Sequence, residues 1–242
     1  MTFALISDIH GNLEALEAVL REIDKQKVDT ICCLGDVIGY GSNPNECLDL
    51  VDRNCVIKLV GNHEHSSMGL LPMDNLNKVA RTSASWTTAQ LDDRSLSIIN
   101  RFTIDATVDN CYLVHSSPYE PAKWHYILGQ HEADQAFKHL KTQICFYGHS
   151  HLPMIFAESA VGEHRCQVGH SFQPDEETRY LINIGSVGQP RDNDPRACYV
   201  TFDSAEADVA YHRVEYDIQR TQTKMKEAEL PRLLIERLAV GR

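Results

Sequence analysis

Residues 3–12 read Phe-Ala-Leu-Ile-Ser-Asp-Ile-His-Gly-Asn, an apolar run that ends in an aspartate and a histidine two positions apart. The apolar part, Phe3 to Ser7, is typical of a buried β-strand, and the apolar residues at 13, 16, 19, 20 and 23 recur at helical spacing after it. The segment therefore predicts a strand, a turn with possible metal ligands, and an amphipathic helix, which together begin a βαβ unit.

Similar strand patterns recur along the whole chain. In the first half, helical patterns separate most of them: Thr30–Leu34, Val56–Val60, Tyr112–His115 and Cys145–Tyr147. In the second half, turns separate them instead: Met154–Ala157, His164–Val168, Tyr180–Ile184, Ala197–Phe202 and Val209–Val214. We expect an α/β fold in which the second half of the chain forms a second, largely antiparallel sheet that packs on the first.

The length and the charge limit the possible functions. A chain of 242 residues is enough for one domain spanning residues 1–242, with a helical cap within 69–101 and closing helices within 217–240. The chain has 23 basic and 34 acidic residues, a formal charge of −11, whereas a duplex-binding protein needs a concentrated basic surface. We therefore expect no duplex nucleic acid as a partner.

The compartment is predicted from what the sequence lacks. The N-terminus has no basic segment followed by a long apolar one, and no apolar stretch is long enough to span a bilayer. The eight cysteines lie mostly in apolar strand-like runs and show no Cys-x-x-Cys spacing. We expect a cytoplasmic protein with reduced, buried thiols that does not enter a membrane.

Polar residues that can bind metals follow several of the predicted strands. Because the carboxyl ends of parallel strands open into the ligand crevice of α/β folds, these residues are expected to converge. Asp-x-His and His-x-His sequences place both side chains on one side of an extended backbone. Carboxylates mixed with imidazoles suit Mn²⁺, Fe, Zn²⁺ or Ni²⁺, and the number of ligands fits two ions. The segments are Asp8-Ile9-His10-Gly11-Asn12, Gly35-Asp36, Gly61-Asn62-His63-Glu64, His115 and Gly148-His149-Ser150-His151.

This order of motifs resembles that of the calcineurin-like metallophosphoesterases, in particular their small bacterial and archaeal phosphodiesterase/phosphatase branch. The similarity extends from residue 3 to about residue 200 and includes the sequence Gly-Ser-Val-Gly-Gln-Pro-Arg at 185–191. The resemblance implies an α-β-β-α sandwich of two packed mixed sheets flanked by helices. It also implies phosphoester hydrolysis with two divalent cations, for which Mn²⁺ is the first expectation and Fe, Ni²⁺, Zn²⁺ or Co²⁺ are alternatives.

The resemblance also implies a role for each motif residue. Asp36 would bridge the two metals together with a water or hydroxide that attacks phosphorus in line. His63 would face the phosphate and either protonate the leaving oxygen or stabilise negative charge. One metal would be held by Asp8, His10, Asp36 and His151, and the other by Asp36, Asn62, His115 and His149.

Position 39 departs from the family pattern. Many relatives have an aspartate there that orients the catalytic histidine, and the protein phosphatases have an arginine at the next position; this chain has Gly39 and Tyr40. The group that orients His63 is therefore open. Arg191 is a candidate phosphate-binding cation or a solvated surface residue. Asn12 is a candidate substrate contact or the cap of the following helix.

Several questions stay open at this stage. Glu64 is expected to accept a hydrogen bond from a ligand histidine, and His65 either reaches substrate or lies on the surface. The partner is expected to be a small phosphorylated or nucleotide-type substrate, with the chain a monomer or a homo-oligomer. The segments 69–101 and 118–130, the latter containing Trp124, His125 and Tyr126, are the expected specificity elements. The alternative function is a non-catalytic metal-binding scaffold of the same fold.

Overall fold

Two β-sheets packed face to face form the centre of the molecule, with helices on their outer sides. The computed structural model describes residues 1–72 and 78–242, so part of the predicted cap, residues 73–77, lies outside the described residues. The strands are β1 (Thr2–Ile6), β2 (Thr30–Cys33), β3 (Ile57–Lys58), β4 (Asp105–Val108), β5 (Cys111–Val114), β6 (Ile144–Tyr147), β7 (Met154–Glu158), β8 (His164–Val168), β9 (Arg179–Asn183), β10 (Ala197–Asp203) and β11 (Asp208–Val214). The helices are α1 (Leu13–Asp24), α2 (Pro44–Asn54), α3 (Asn62–Ser67), α4 (Lys78–Gln90), α5 (Asp93–Ile99), α6 (Gln130–His139), α7 (Ile218–Glu227) and α8 (Arg232–Arg237).

Both sheets are mixed, as expected, but they do not divide the chain into halves. The first sheet has the order β11-β10-β1-β2-β3 and the second has the order β4-β5-β6-β9-β7-β8. The expectation that the second half builds the second sheet is therefore wrong. β10 returns to pair antiparallel with β1, with Phe202 opposite Phe3, whereas β5 and β6 pair parallel in the other sheet. Hydrophobic patterns identify strands but do not specify their partners.

Alternation along β1 explains why its whole run is apolar. Phe3 and Leu5 face the core between the sheets, while Ala4 and Ile6 face the layer formed by α1 and α2. A strand that is covered on both faces needs apolar side chains at every position. The carboxyl end of such a strand is consequently the first place where polar side chains can stand, and Asp8 stands there.

The closing helices pack on the body of the molecule. Met225 of α7, Leu234 of α8 and Leu238, directly after α8, are buried in one cluster. The cluster also includes Tyr40 from the loop after β2 and Trp86 of α4. Helices are thus present within both predicted segments, 69–101 and 217–240, and α8 is covered by its own chain.

The cysteines have the free and mostly buried thiols expected from the sequence. All eight cysteines are free, seven are buried, and Cys166 is exposed on β8. Burial raises the pKa of Cys32 and of Cys198 to about 12, so these thiols stay protonated.

Among the described helices, none has the length and apolar character needed to cross a membrane.

Candidate active site

The loops that follow β1 and β2 are tied together by backbone hydrogen bonds. Asp8 N donates to Gly35 O at 3.0 Å and His10 N donates to Asp36 O at 3.0 Å. Asp8, His10 and Asp36 all have positive φ values, of 54°, 50° and 51°. The expectation of an extended Asp-x-His segment is therefore wrong, because the chain turns through the left-handed region at each of these residues. Such backbone is strained for residues other than glycine and persists only where the surroundings impose it.

The same turn occurs in the last motif. His149 and His151 have φ values of 66° and 60°. Gly148 precedes them and has no room for a Cβ atom, since Asp8 Oδ2 and Ser7 Oγ occupy that space. Asp8 Oδ2 accepts a hydrogen bond from His149 N at 3.0 Å. The motif at 148–151 is thereby fastened onto the motif at 8–12.

The expected ligand side chains converge into adjoining groups. Asp8, His10 and His151 have ligand atoms within 4.8 Å of one another, and so do Asp36, His115 and His149. Asp36 Oδ2 lies 3.3 Å from His115 Nε2 and 3.8 Å from His10 Nε2, so it reaches both groups. All of these side chains are buried. The geometry brings the residues of the five motifs together around one central carboxylate.

Two of these histidines face each other with fixed tautomers. His10 Nδ1 lies 3.1 Å from Ile38 O, and His151 Nδ1 lies 2.6 Å from Gln189 O. A carbonyl oxygen only accepts hydrogen bonds, so both Nδ1 atoms donate and each neutral ring carries its lone pair on Nε2. The two Nε2 atoms are 3.0 Å apart. Two lone pairs at this distance repel each other unless a cation or a proton shares them.

The other two histidines are fixed in the same way. His115 Nδ1 donates to Leu34 O at 2.9 Å, which leaves Nε2 turned toward the carboxylate of Asp36. His149 uses its opposite nitrogen, because Nε2 donates to Trp124 O at 3.0 Å and leaves Nδ1 as the acceptor. A backbone carbonyl bound to the distal nitrogen of a histidine is the arrangement that orients metal-ligating imidazoles.

Unsatisfied atoms provide a test of whether cations fit these residues. Asp8 Oδ1, Asn62 Oδ1 and His115 Nε2 are buried and have no hydrogen-bond partner in the described part of the chain. Buried polar atoms are almost always paired, so three buried polar atoms without a hydrogen bond among these residues need an explanation. Oxygen and imidazole donors of this kind suit divalent cations of the Mn²⁺ to Zn²⁺ series. The residues present therefore fit bound metal.

Charge interactions in the group are strong. Burial alone would raise the pKa of Asp36, but the nearby His115 and His63 hold it well below its usual range. Burial opposes protonation of His115, yet Asp36 and Asp8 raise its pKa to about 9. Burial and the charge of His115 lower the pKa of His149 to about 3. A bound cation would compete with the proton on His115, because the same carboxylates, Asp36 and Asp8, stabilise both positive charges.

Comparison with known proteins agrees with this geometry. Residues 1–207 match the family model described as the calcineurin-like phosphoesterase superfamily domain. The chain belongs to the calcineurin-like phosphoesterase superfamily. It is 38% identical to the uncharacterized protein MJ0912 of Methanocaldococcus jannaschii over 244 residues, which cover 99% of this chain and 98% of that protein.

Two solved structures are similar to this chain in three dimensions. The crystal structure of a metallophosphoesterase from Sphaerobacter thermophilus has a TM-score of 0.86 and 40% sequence identity, and the match covers 100% of this chain and 99% of that one. Hypothetical protein PH1004 from Pyrococcus horikoshii OT3 has a TM-score of 0.79 at 17% identity, covering 100% and 98% of the two chains. The second likeness concerns the fold alone.

In this phosphoesterase, Glu64 does not bind a histidine. Its carboxylate accepts four backbone N–H groups: Oε2 from Asp36 and Gly61 at 3.0 and 2.8 Å, and Oε1 from Val37 and Ile38 at 2.8 and 3.2 Å. The expectation of a Glu64–histidine contact is therefore wrong. Burial and the charge of Asp36 raise the pKa of Glu64 to about 7, while the N–H donors oppose that shift. Glu64 instead shapes the loop that carries Asp36.

His63 lies beside the ligand group and is oriented by packing. Its Nε2 is 4.0 Å from Asp36 Oδ2, and its ring contacts the rings of Tyr40 and His10 with centroids 4.5 and 4.8 Å apart. On its other side lies Gly39, where a Cβ atom would overlap His63 Nδ1. Burial lowers the pKa of His63, with Asp36 opposing. Packing against Gly39, Tyr40 and His10 therefore orients His63, although position 39 has no aspartate.

Asn12 and Arg191 lie on the side of the site nearest α7 and α8. Asn12 is buried and caps α1, because its Oδ1 accepts from Ala15 N at 3.2 Å while its Nδ2 donates to Gly188 O at 2.9 Å. Its amide is thus engaged by the protein on both sides, and its contact with substrate stays a prediction. Arg191 is half-buried, with its guanidinium 5.9 Å from the centre of the Tyr40 ring.

An aromatic wall closes the opposite side. Tyr126 stacks on His149 with centroids 4.0 Å apart and is 46% exposed. Trp124 contacts His65 edge-on at 5.1 Å and His115 at 5.9 Å. His125 turns away and stacks on Tyr119. The segment 118–130 therefore borders the site through Trp124 and Tyr126, and His65 contacts this wall.

Sequence reasoning missed the carbonyl groups that orient the histidines. Ile38, Leu34, Trp124 and Gln189 contribute main-chain oxygen atoms, so no residue type at these positions signals the role. Gly39 was visible as a departure from the family pattern, but its contact with His63 depends on the fold. The available signal was Gly39 itself, a residue without a side chain at the position expected to orient the catalytic histidine.

Proposed function

We propose that this protein hydrolyses phosphoesters with a centre of two divalent cations bridged by Asp36. The observation that carries the proposal is the set of four buried histidines, each of which donates one ring N–H to a backbone carbonyl. The other ring nitrogen of His10, of His115 and of His151 lies within 4 Å of an aspartate carboxylate. Family membership supports the same class of reaction. Two divalent cations, when bound, supply a water of lowered pKa and neutralise the phosphoryl oxygens.

The ligands divide between the two cations as the groups Asp8–His10–His151 and Asp36–His115–His149 suggest. A third group joins His63 to His10 and Asp36, and in this proposal His63 acts on the substrate. Asp36 serves both, because its Oδ2 lies within 4 Å of His10 and of His115. Asn62 is the first residue of α3. Its side-chain Oδ1 is buried and has no hydrogen-bond partner in the described part of the structure, which supports its assignment to the second ion. One ion takes Asp8, His10, Asp36 and His151, and the other takes Asp36, Asn62, His115 and His149.

The residues that surround the centre act on the substrate. His63 presents Nε2 beside Asp36 and gives a proton or a hydrogen bond to a phosphoester oxygen. Arg191, next to Tyr40, supplies positive charge for a phosphate of the substrate. Tyr126 and Trp124 border the space left for the leaving group. A small phosphorylated or nucleotide-type molecule is the substrate class that suits these groups, and Mn²⁺ is the first cation to try.

The test is hydrolysis of bis(p-nitrophenyl) phosphate and p-nitrophenyl phosphate by purified protein loaded with Mn²⁺, Ni²⁺, Co²⁺, Fe²⁺ or Zn²⁺. We expect turnover that Asp36→Asn abolishes. His63→Ala should lower the rate by on the order of 10²- to 10⁴-fold while bound metal stays near the wild-type amount. Metal binding without hydrolysis of either ester would favour the non-catalytic scaffold, and loss of metal from His63→Ala would contradict the division between ligands and acid.

A further inference from the structure

The C-terminal helices form one side of the candidate site. Thr221 of α7 donates to Asn12 Oδ1 at 3.1 Å, directly after the motif that carries Asp8 and His10. Leu238 and Met225 are buried beside Tyr40, whose ring contacts His10 and His63. Side chains of α7 and α8 are therefore separated from the ligand group by a single layer of residues.

Arg237 of α8 extends this contact to Arg191. Its Nη1 donates to Gln189 Oε1 at 3.0 Å, and Nη2 of Arg191 donates to the same oxygen at 2.9 Å. One neutral amide oxygen thus holds two guanidinium groups together. The loop that carries Gln189 and Arg191 is also fastened to the chain end, since Asn193 N donates to Gly241 O at 2.8 Å.

The charge of this pair is only partly balanced by nearby groups. Within residues 1–72 and 78–242, neither Arg191 nor Arg237 forms an ion pair with an aspartate or glutamate. Arg191 Nε is buried without an acceptor. Arg237 Nε, in contrast, donates to a terminal oxygen of Arg242, the last residue of the described chain. Burial and the charge of Arg191 lower the pKa of Arg237 to about 10, so placing the two charged guanidinium groups side by side costs free energy.

We infer that Arg191 and Arg237, joined through Gln189, form a binding site for a second phosphate of the substrate, beside the phosphate that reacts. This inference rests on the proposed function. Two divalent cations would neutralise the reacting phosphoryl group, so the positive charge that Arg191 and Arg237 add beside it matches a further anion. A phosphate carries about −1.5 to −2 charges near neutral pH and accepts bonds from two arginine forks. The favoured substrates therefore carry two phosphoryl groups, as nucleoside diphosphates and bisphosphates do.

The test compares methylenediphosphonate with methylphosphonate, which carry two phosphonate groups and one and are not hydrolysed. Their dissociation constants are obtained from the ligand-induced rise in Tm of metal-loaded protein at one fixed Mn²⁺ concentration. Binding of Mn²⁺ by the ligands in solution is the same for every variant. We expect the wild-type protein to prefer the diphosphonate, and Arg237→Gln to lower this preference about 10-fold or more.

Two further variants sharpen the result. Gln189→Glu puts a carboxylate between the guanidinium groups and should also lower the preference, without removing a side chain from α8. Arg232→Gln is the matched control, because Arg232 is on the same helix, is exposed and pairs with Glu236. It should bind both ligands as the wild type does.

The outcomes separate this inference from the proposed function. An unchanged preference, within about twofold, in folded Arg237→Gln would overturn the inference, and Gln189→Glu decides in the same way if Arg237→Gln does not fold. If p-nitrophenyl esters are hydrolysed while the preference stays unchanged, only the inference fails. If the preference falls but no ester is hydrolysed, the two-phosphate site stands and the proposed hydrolysis fails.

Discussion

The His63 imidazole lies against Gly39, so that the ring occupies the space where any other residue would place its Cβ atom. Tyr40 and His10 contact the ring edge-on from the neighbouring positions. Together these contacts fix a ring that presents Nε2 to Asp36. Steric confinement here takes the place of the carboxylate that many relatives use to orient this histidine.

Gly39→Ala is therefore expected to displace His63. The rate of p-nitrophenyl ester hydrolysis should fall by on the order of 10²-fold, because a shift of about 1 Å is enough for such a loss. Bound metal, measured by elemental analysis, should stay near the wild-type amount. Gly162→Ala is the matched control: Gly162 also has a positive φ, of 80° against 89° at Gly39, but has open space around it. Equal rates in the two variants would contradict steric orientation.

Glu64→Gln should weaken both the fold and the metal centre. The carboxylate accepts four backbone N–H groups, and an amide can accept only about half of them while its NH₂ group faces the remaining donors. We expect a loss of about 2–4 kcal/mol in the free energy of unfolding, measured with urea on metal-free protein. Metal should bind about 10-fold more weakly, because Asp36 loses its backbone support. Glu132→Gln, on the exposed side of α6, should change neither quantity.

Motif order was enough to predict which side chains converge, because each motif ends a strand or begins a helix. Asp8 follows β1, Asp36 follows β2, and His115 follows β5, so the positions that meet in space could be read from local pattern and family resemblance. The fold class followed from the same signals. The helical segments within 69–101 and 217–240 were also predicted, from the helical spacing of their apolar residues.

Long-range pairing could not be predicted in this way. The apolar runs of β5 and β10 resemble each other, and nothing in them states that one joins the second sheet and the other returns to β1. The left-handed turns at Asp8 and His149 depend on hydrogen bonds between loops far apart in sequence. Arg237 meets Gln189 only because α8 packs beside the site, so no local pattern marked it.

Acidification should release the metals and abolish activity together. Four imidazoles must be neutral to act as ligands, and Asp36 and Asp8 raise the pKa of His115 to about 9, so protons compete with the cations at His115 increasingly as the pH falls below about 9. Protein dialysed at about pH 5 should lose most of its metal, and return to neutral pH with Mn²⁺ should restore both metal and rate. Metal content by elemental analysis and the rate of ester hydrolysis check this. Full activity in acid-dialysed protein that retains no metal would refute metal dependence.

His212, distant from the metal ligands, predicts a separate and smaller pH effect on stability. It stacks on Tyr199, its Nδ1 lies 3.4 Å from Gln26 Nε2, and its Nε2 lies 2.8 Å from Thr201 Oγ1. Burial lowers the pKa of His212, with Glu22 opposing, so the unfolded chain takes up this proton first as the pH falls. Stability is then lost below the unfolded value of about 6.5 and is unaffected above it. Between about pH 7 and pH 5 this half-buried group should therefore lower the free energy of unfolding as the pH falls. Urea unfolding of metal-free protein at both pH values, with wild type and His212→Gln compared, isolates it, since the other histidines are common to both. His131→Gln, an exposed position on α6, should keep the full wild-type pH dependence; an equally steep dependence in His212→Gln would mean that His212 stays out of the titration.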